Sequence, residues 1–430
     1  MKRRRNSTKA APRTTPAVAR RLLSSLGPGL VTGAADDDPS GIATYSVAGA
    51  RLGTSLLWTA ALTWPLMAAV QMMCARIGMV TGEGLACALR RKFPRPLLVG
   101  ASIALLAANT LTIGADLAGM ADAARMLSGV NSHLAILFFG VALAAATIRL
   151  RYRQIASTLK WLALVLVAYA VTAFLVHPNW LSVLRDAFIP SIPRGKDAWA
   201  TLVAILGTTI SPYLFFWQAS QEVEEEKLTG RRMRAVRVGA SSREICDRRM
   251  DVGFGTFASN SVMFFIILTT ALTLHARGVT EIETSRQAAE ALQPLAGKLA
   301  AAIFTAGILG VGALAIPTLA GSAAYAFAET FRWRQGLDQK LAKAKAFYGV
   351  VLVSTSAGIA MNLANVNAVK ALFWSAVVNG LLAPFLLAAV LLVASDRKLM
   401  NGKPSSLPSR IAVGVATLLM FGAAIGMFAV

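Results

Sequence analysis

The sequence predicts an all-α, multi-pass membrane protein: two five-helix repeats of opposite orientation followed by an eleventh helix. Three observations predict it. Apolar runs of about 20 residues, the length a helix needs to cross about 30 Å of hydrocarbon, recur along the whole chain of 430 residues. Two of these runs, five apart in order, are interrupted halfway by a proline among polar residues. Basic side chains gather in alternate connections between the runs.

Composition sets the solvent. With 56% hydrophobic residues, 15% charged and a mean hydropathy of +0.58, water is not the main environment. The net charge of +22, from 43 basic and 21 acidic residues, invites a nucleic-acid reading that fails once the charges are located. With the amino terminus in the cytoplasm, about 33 of the 43 fall in the tail and the loops on that side, the positive-inside pattern. No nucleic-acid partner is expected. Cys74, Cys87, Cys246 and His133, His177, His275 have neither zinc nor disulfide spacing, so no resident cofactor is expected either.

Taken in order, residues 1–26 form a basic tail with Arg3, Arg4, Arg5, Arg13, Arg20 and Arg21 and no acid. The composition superficially resembles a transit peptide, but a cytoplasmic tail that helps to orient the first span is the simpler reading. The spans, each bounded by glycine, proline or charge, are expected near 27–48, 55–75, 97–121, 133–148 and 157–176 in the first repeat. The second repeat supplies 198–220, 252–275, 299–329, 346–362 and 368–394, and the eleventh helix 409–429. Eleven spans put the carboxyl terminus outside the cell. Between spans six and seven, the stretch near 227–251 with Arg231, Arg232, Arg234, Arg237, Arg243, Arg248 and Arg249 reads as a solvated cytoplasmic loop able to meet anionic lipid heads.

Span one runs from Gly27-Pro28-Gly29 to Asp36-Asp37-Asp38-Pro39-Ser40-Gly41 and then resumes apolar. Pro39 lacks an N–H and crowds the preceding turn, and an Asp at mid-bilayer costs roughly 2.5–3.5 kcal/mol. Span six repeats the device with Gly207-Thr208-Thr209-Ile210-Ser211-Pro212-Tyr213. Paired broken helices point to an inverted-repeat transporter whose unwound backbone lines a midplane site.

Asp38 is the leading candidate ligand there, because carboxylate, carbonyl and water suit hard divalent ions. Asp36 and Asp37, 100° apart on a helix, are expected to diverge, one lining a vestibule while the other caps or pairs. Thr208 and Ser211 flank the second break. Tyr213, Trp217 and Gln221, spaced by four, are candidates for the pathway wall, and Glu222, Glu224, Glu225 and Glu226 either draw cations or pair with the basic loop. Asp116, in span three, is a proton relay or a helix contact. Asn260 and Asn379 read as interhelical hydrogen bonds.

The chain resembles the Nramp family of divalent-metal transporters, which share the LeuT-type inverted repeat. Nine residues after Gly27-Pro28-Gly29 stands Asp38, as the Asp of the family's DPGN motif does, followed by Ala43-Thr44, Ala48-Gly49-Ala50 and Gly53. Thr208 and Ser211-Pro212-Tyr213 occupy the place of the small residue and the MPH motif of the family's sixth span. Four departures matter: Gly41 replaces the motif's Asn, Ser211 replaces the Met ligand, and Tyr213 and Gly119 replace the His and Glu associated with protons. The resemblance implies a harder, roomier metal site made of Asp38, Gly41, Thr208 and Ser211, with water in the space at Gly41 and Ser211, and Mg²⁺, with Mn²⁺ beside it, as substrate. It is similar to the Nramp-related magnesium transporter branch, which is not proton-coupled. No enzyme activity is expected, and a monomer is the default.

Rival readings are a proton-coupled Mn²⁺ or Fe²⁺ symporter, a LeuT-type amino-acid symporter and an intramembrane aspartyl protease using Asp38 and Asp116. The triple Asp would repel an amino-acid carboxylate. The protease signature GxGD is absent, since Ile113-Gly114-Ala115 precedes Asp116.

Overall fold

A computed structural model describes residues 28–149, 166–191, 195–231, 233–364 and 367–429. The basic tail, Gly27, Arg232 and the first part of the fifth span lie outside the described residues. Among the described residues the chain is helical, with no strand. In order come α1 (Pro28–Asp36), α2 (Pro39–Leu52), α3 (Trp58–Thr81), α4 (Leu85–Arg90), α5 (Arg95–Ser128), α6 (Ser132–Arg149), α7 (Val167–Leu175) and α8 (Trp180–Phe188). There follow α9 (Lys196–Thr209), α10 (Pro212–Leu228), α11 (Ser242–Thr273), α12 (Ala300–Phe331), α13 (Lys345–Met361), α14 (Ala368–Ser395) and α15 (Leu407–Ala429). Every expected span recurs, the first and sixth as the broken pairs α1/α2 and α9/α10, and the fifth in part as α7.

The breaks have local causes. Asp38 is extended at φ −70°, ψ 169°, as a residue before proline prefers, and Pro39 takes the first helical position, where its missing N–H costs nothing. Ser211, at φ −76°, ψ 133°, and Pro212 do the same for α10. The stretch after span six departs from expectation. From Ser242 onward it is the first turns of α11, because Ser241 and Glu244 form a capping box that starts the helix well before its apolar part.

The broken spans lie at the centre. The sixth is buried almost throughout, whereas α6 shows most of its surface to the outside. Helix α1 packs on α10 and α11, α2 on α9, α11 and α14, and α9 on α14 and α15. Glycines permit the closest crossings. A side chain at Gly207 would meet the Ala376 carbonyl and Gly380, and one at Gly33 would meet the backbone of Gly255.

Candidate metal site

Both breaks expose helix-end groups that need partners. At the start of α2 the Asp38 carboxylate caps the helix, its Oδ1 accepting from the Gly41 N–H at 2.7 Å. The same first turn is pinned to α14, for the Ser40 hydroxyl donates to the Leu372 carbonyl at 2.7 Å and lies 3.0 Å from that of Ser375. At the second break the Ser211 hydroxyl turns back on α9 and reaches the carbonyls of Gly207 (2.8 Å) and Thr208 (2.7 Å). The Thr208 carbonyl, a candidate ligand, keeps its second lone pair.

The two breaks are joined. Tyr213, in the first turn of α10, donates its hydroxyl to the Ala35 carbonyl in the last turn of α1 at 2.8 Å. Gly41 faces Thr208: a Cβ there would lie 3.2 Å from the Thr208 hydroxyl oxygen and 3.4 Å from the Tyr45 ring. The room expected at Gly41 is narrow, because the Thr208 hydroxyl and the Tyr45 ring stand beside it.

Asp36 and Asp37 do not diverge as expected. The helix ends at Asp36, so its angular spacing no longer applies. Both carboxylates reach the Ser259 hydroxyl of α11, at 2.9 and 3.0 Å. One hydroxyl proton serves one acceptor at a time, and Asp36 Oδ1 has no hydrogen-bond partner. Asp116, on α5, lies within electrostatic reach of Asp38 and of the Ser40 N–H, yet neither of its oxygens makes a hydrogen bond of ordinary geometry.

These four acids are buried, at 0% exposure for Asp36 and Asp116, 5% for Asp37 and 2% for Asp38. Among the described residues none of them has an ion pair with a basic side chain. Among those residues, too, no three His, Cys, Asp or Glu side chains converge to cage a metal. A cation here would be held by few carboxylates together with hydroxyl, carbonyl and water oxygens.

The remaining candidates have structural partners. Trp217 is buried edge-on against Tyr325 of α12, with ring centroids 6.3 Å apart. Gln221 is half-buried, and Gln218 and Glu222 face inward instead, joined at 2.7 Å. The acids of α10 pair with basic residues: Arg248 binds Glu222 at 2.8 Å, Glu225 and, at 2.6 Å, Asp251, which also accepts from the Gly29 N–H of α1 at 2.8 Å. Asn260 bonds to Thr63 and Asn379 to Thr112, as interhelical ties. Sequence reasoning missed Ser259, Ser40, Ser375 and Gln218. The only sequence signal for them is an uncharged polar residue in an apolar span, and for the serines such a residue most often satisfies its own helix.

The profile for Nramp proteins, described as natural resistance-associated macrophage protein-like, matches residues 29–430. The chain is 28% identical over 318 residues to the divalent metal cation transporter MntH of Yersinia enterocolitica, covering 72% of this chain and 74% of that one. The MntH of Erwinia tasmaniensis is likewise 28% identical, over 69% of this chain and 70% of the relative. Among solved structures, the manganese transporter of Eremococcus coleocola superposes with a TM-score of 0.71 at 18% identity, covering 97% of this chain and 88% of that one. MHP1, a nucleobase-cation-symport-1 family transporter, superposes at 0.53 with 15% identity, over 94% and 92%. These likenesses place the inverted-repeat fold.

Proposed function

The chain belongs to the Nramp family, and on that premise we propose that it carries Mg²⁺, and Mn²⁺ beside it, inward across the cell membrane by alternating access without coupling to protons. The observation that carries the reading is the group of buried acids, Asp36, Asp37, Asp38 and Asp116, with no basic partner among the described residues. Ionised carboxylates at membrane depth need a cation, and a divalent ion supplies the missing charge. Relatives named as divalent metal cation transporters support the ion class.

Asp38 is the direct ligand in this reading, with the Thr208 carbonyl and water. Ser211 contributes oxygen rather than sulfur, and an all-oxygen set favours Mg²⁺ and Mn²⁺ over softer ions. The Tyr213 hydroxyl is committed to Ala35 and Gly119 has no proton to carry, which leaves Asp116 alone on that route. At about 100 mV, negative inside, two charges gain roughly 4.6 kcal/mol on entry, enough to drive uptake without protons. The end of the bundle bearing Arg90, Arg91, Arg231, Arg234, Arg248 and Arg249 faces the cytoplasm by the positive-inside rule, and the carboxyl terminus faces out.

A second reading, the proton-coupled Mn²⁺ or Fe²⁺ symporter, draws on Asp116, whose unbonded carboxyl could carry a proton. Proteoliposomes under an imposed inside-negative potential, with interior reporters for Mg²⁺, Mn²⁺ and pH, separate the two. Mg²⁺ entry without acidification is expected. Mn²⁺ entry with acidification and no Mg²⁺ flux overturns the uncoupled reading.

A further inference from the structure

Several arginines at the basic end of the bundle are neutralised. Arg231 meets Glu226 and Glu244, Arg234 and Arg91 meet Glu83, and Arg248 holds three acids. Arg76 on α3 and Arg249 on α11 have no ion pair among the described residues, and the segments outside those residues contain no Asp or Glu.

The two arginines stand opposite one another. Thr63 bonds Asn260 at 2.7 Å, Asn260 reaches Met67 at 3.2 Å, and Trp64 meets Phe257 edge-on with centroids 5.2 Å apart. These contacts set an antiparallel register that, carried toward the basic end, brings Arg76 level with Arg249, and the two lie within electrostatic reach. Arg76 Nε donates to the Lys403 carbonyl at 3.3 Å, which holds the guanidinium at this end, while the Lys403 ammonium donates to the Ala240 carbonyl at 2.8 Å. Asp247 is two residues from Arg249 but about 200° round the helix.

Toward the membrane centre the seam is apolar and open. Arg249, Gly253 and Phe257 form one stripe of α11 at spacings of four, and apart from its chain neighbours and the helix's own backbone no atom lies within 4 Å of where a Gly253 side chain would begin. The exposed rings of Phe257 and Trp64 close the slot about 12 Å from Arg249, eight residues along the helix.

We propose that this slot binds one anionic phospholipid, its phosphate held by Arg76 and Arg249 and one acyl chain laid over Gly253. Guanidinium groups favour phosphate oxygens, and positive charge without local acids selects an anionic head over a zwitterionic one. The slot is separate from the acids at the breaks, so the site stands or falls independently of the transported ion.

Native mass spectrometry of the detergent-solubilised full chain, titrated with phosphatidylglycerol or phosphatidylcholine, tests it. One tightly retained phosphatidylglycerol is expected, with R76Q and R249Q each weakening it about fivefold. G253L, which fills the slot without changing charge, is expected to release it too, while R277Q at the opposite end leaves it in place. Equal retention of phosphatidylcholine overturns the proposal, as does a double R76Q/R249Q variant or G253L that binds like the parent. Displacement by inorganic phosphate at equal concentration would reassign the arginines to a free anion and also overturn the lipid site.

Discussion

The Tyr213 hydroxyl lies 2.8 Å from the Ala35 carbonyl oxygen, so the first turn of α10 is bonded to the last turn of α1. Each of the two broken spans thus completes the other. The bond satisfies a carbonyl that α1 cannot use internally, and any motion separating α1 from α10 has to break it. A buried neutral hydrogen bond contributes about 0.5–1.5 kcal/mol net. Tyr213→Phe is therefore expected to fold and to lose about 1 kcal/mol in thermal unfolding. An unchanged midpoint would mean that the bond does not form in the protein in solution.

Asp38 has two roles that substitutions can separate, capping α2 through Gly41 and presenting charge to an ion. Asn caps as well as Asp, whereas Ala costs about 1 kcal/mol at such a position. Asp38→Asn is expected to keep the parent's thermal stability and to lose metal flux. Asp38→Ala is expected to lose both flux and about that much stability. Flux at the parent's level in Asp38→Asn would remove this carboxylate from the ligand set.

Selectivity is expected to follow ligand softness. The double variant G41N/S211M adds an amide and a thioether, and it should shift the Mn²⁺ to Mg²⁺ flux ratio upward in proteoliposomes. Crowding at Gly41 is moderate, since a Cβ would meet the Thr208 hydroxyl at 3.2 Å, and a displacement of a few tenths of an ångström accommodates it. Replacing Ser211 frees the carbonyls of Gly207 and Thr208 that its hydroxyl now serves. A ratio equal to the parent's would show that helices farther out set the preference.

What could be read from the residues alone divides along sequence distance. The breaks at Asp38-Pro39 and Ser211-Pro212 were legible because proline and the residue before it act on their own backbone. The spans were legible from hydropathy, although charge hid the first turns of α11 from Ser242 to Asp251. Tyr213 with Ala35, and Ser259 with Asp36 and Asp37, join residues 178 to 223 positions apart, and no local pattern announces them. The divergence expected of Asp36 and Asp37 failed for a definite reason: a helical angle was assumed one residue past the helix end.

Orientation is open to a direct test with the native cysteines. Cys246 is exposed in the first turns of α11, Cys74 is buried in α3, and Cys87 on α4 is half-buried. Burial, reinforced by the charges of Glu329 and Glu83, pushes the Cys87 thiol up to about 12. A raised thiol stays protonated at pH 7.5, and only the thiolate attacks a maleimide, so Cys87 is expected to be inert and Cys246 to carry the label. With the basic end in the cytoplasm, a membrane-impermeant maleimide should label the protein in inside-out vesicles and spare it in right-side-out ones. Cys246→Ser should abolish the signal in the inside-out vesicles. Rapid labelling of Cys246 in right-side-out vesicles would put the arginine-rich end outside the cell, against the charge bias.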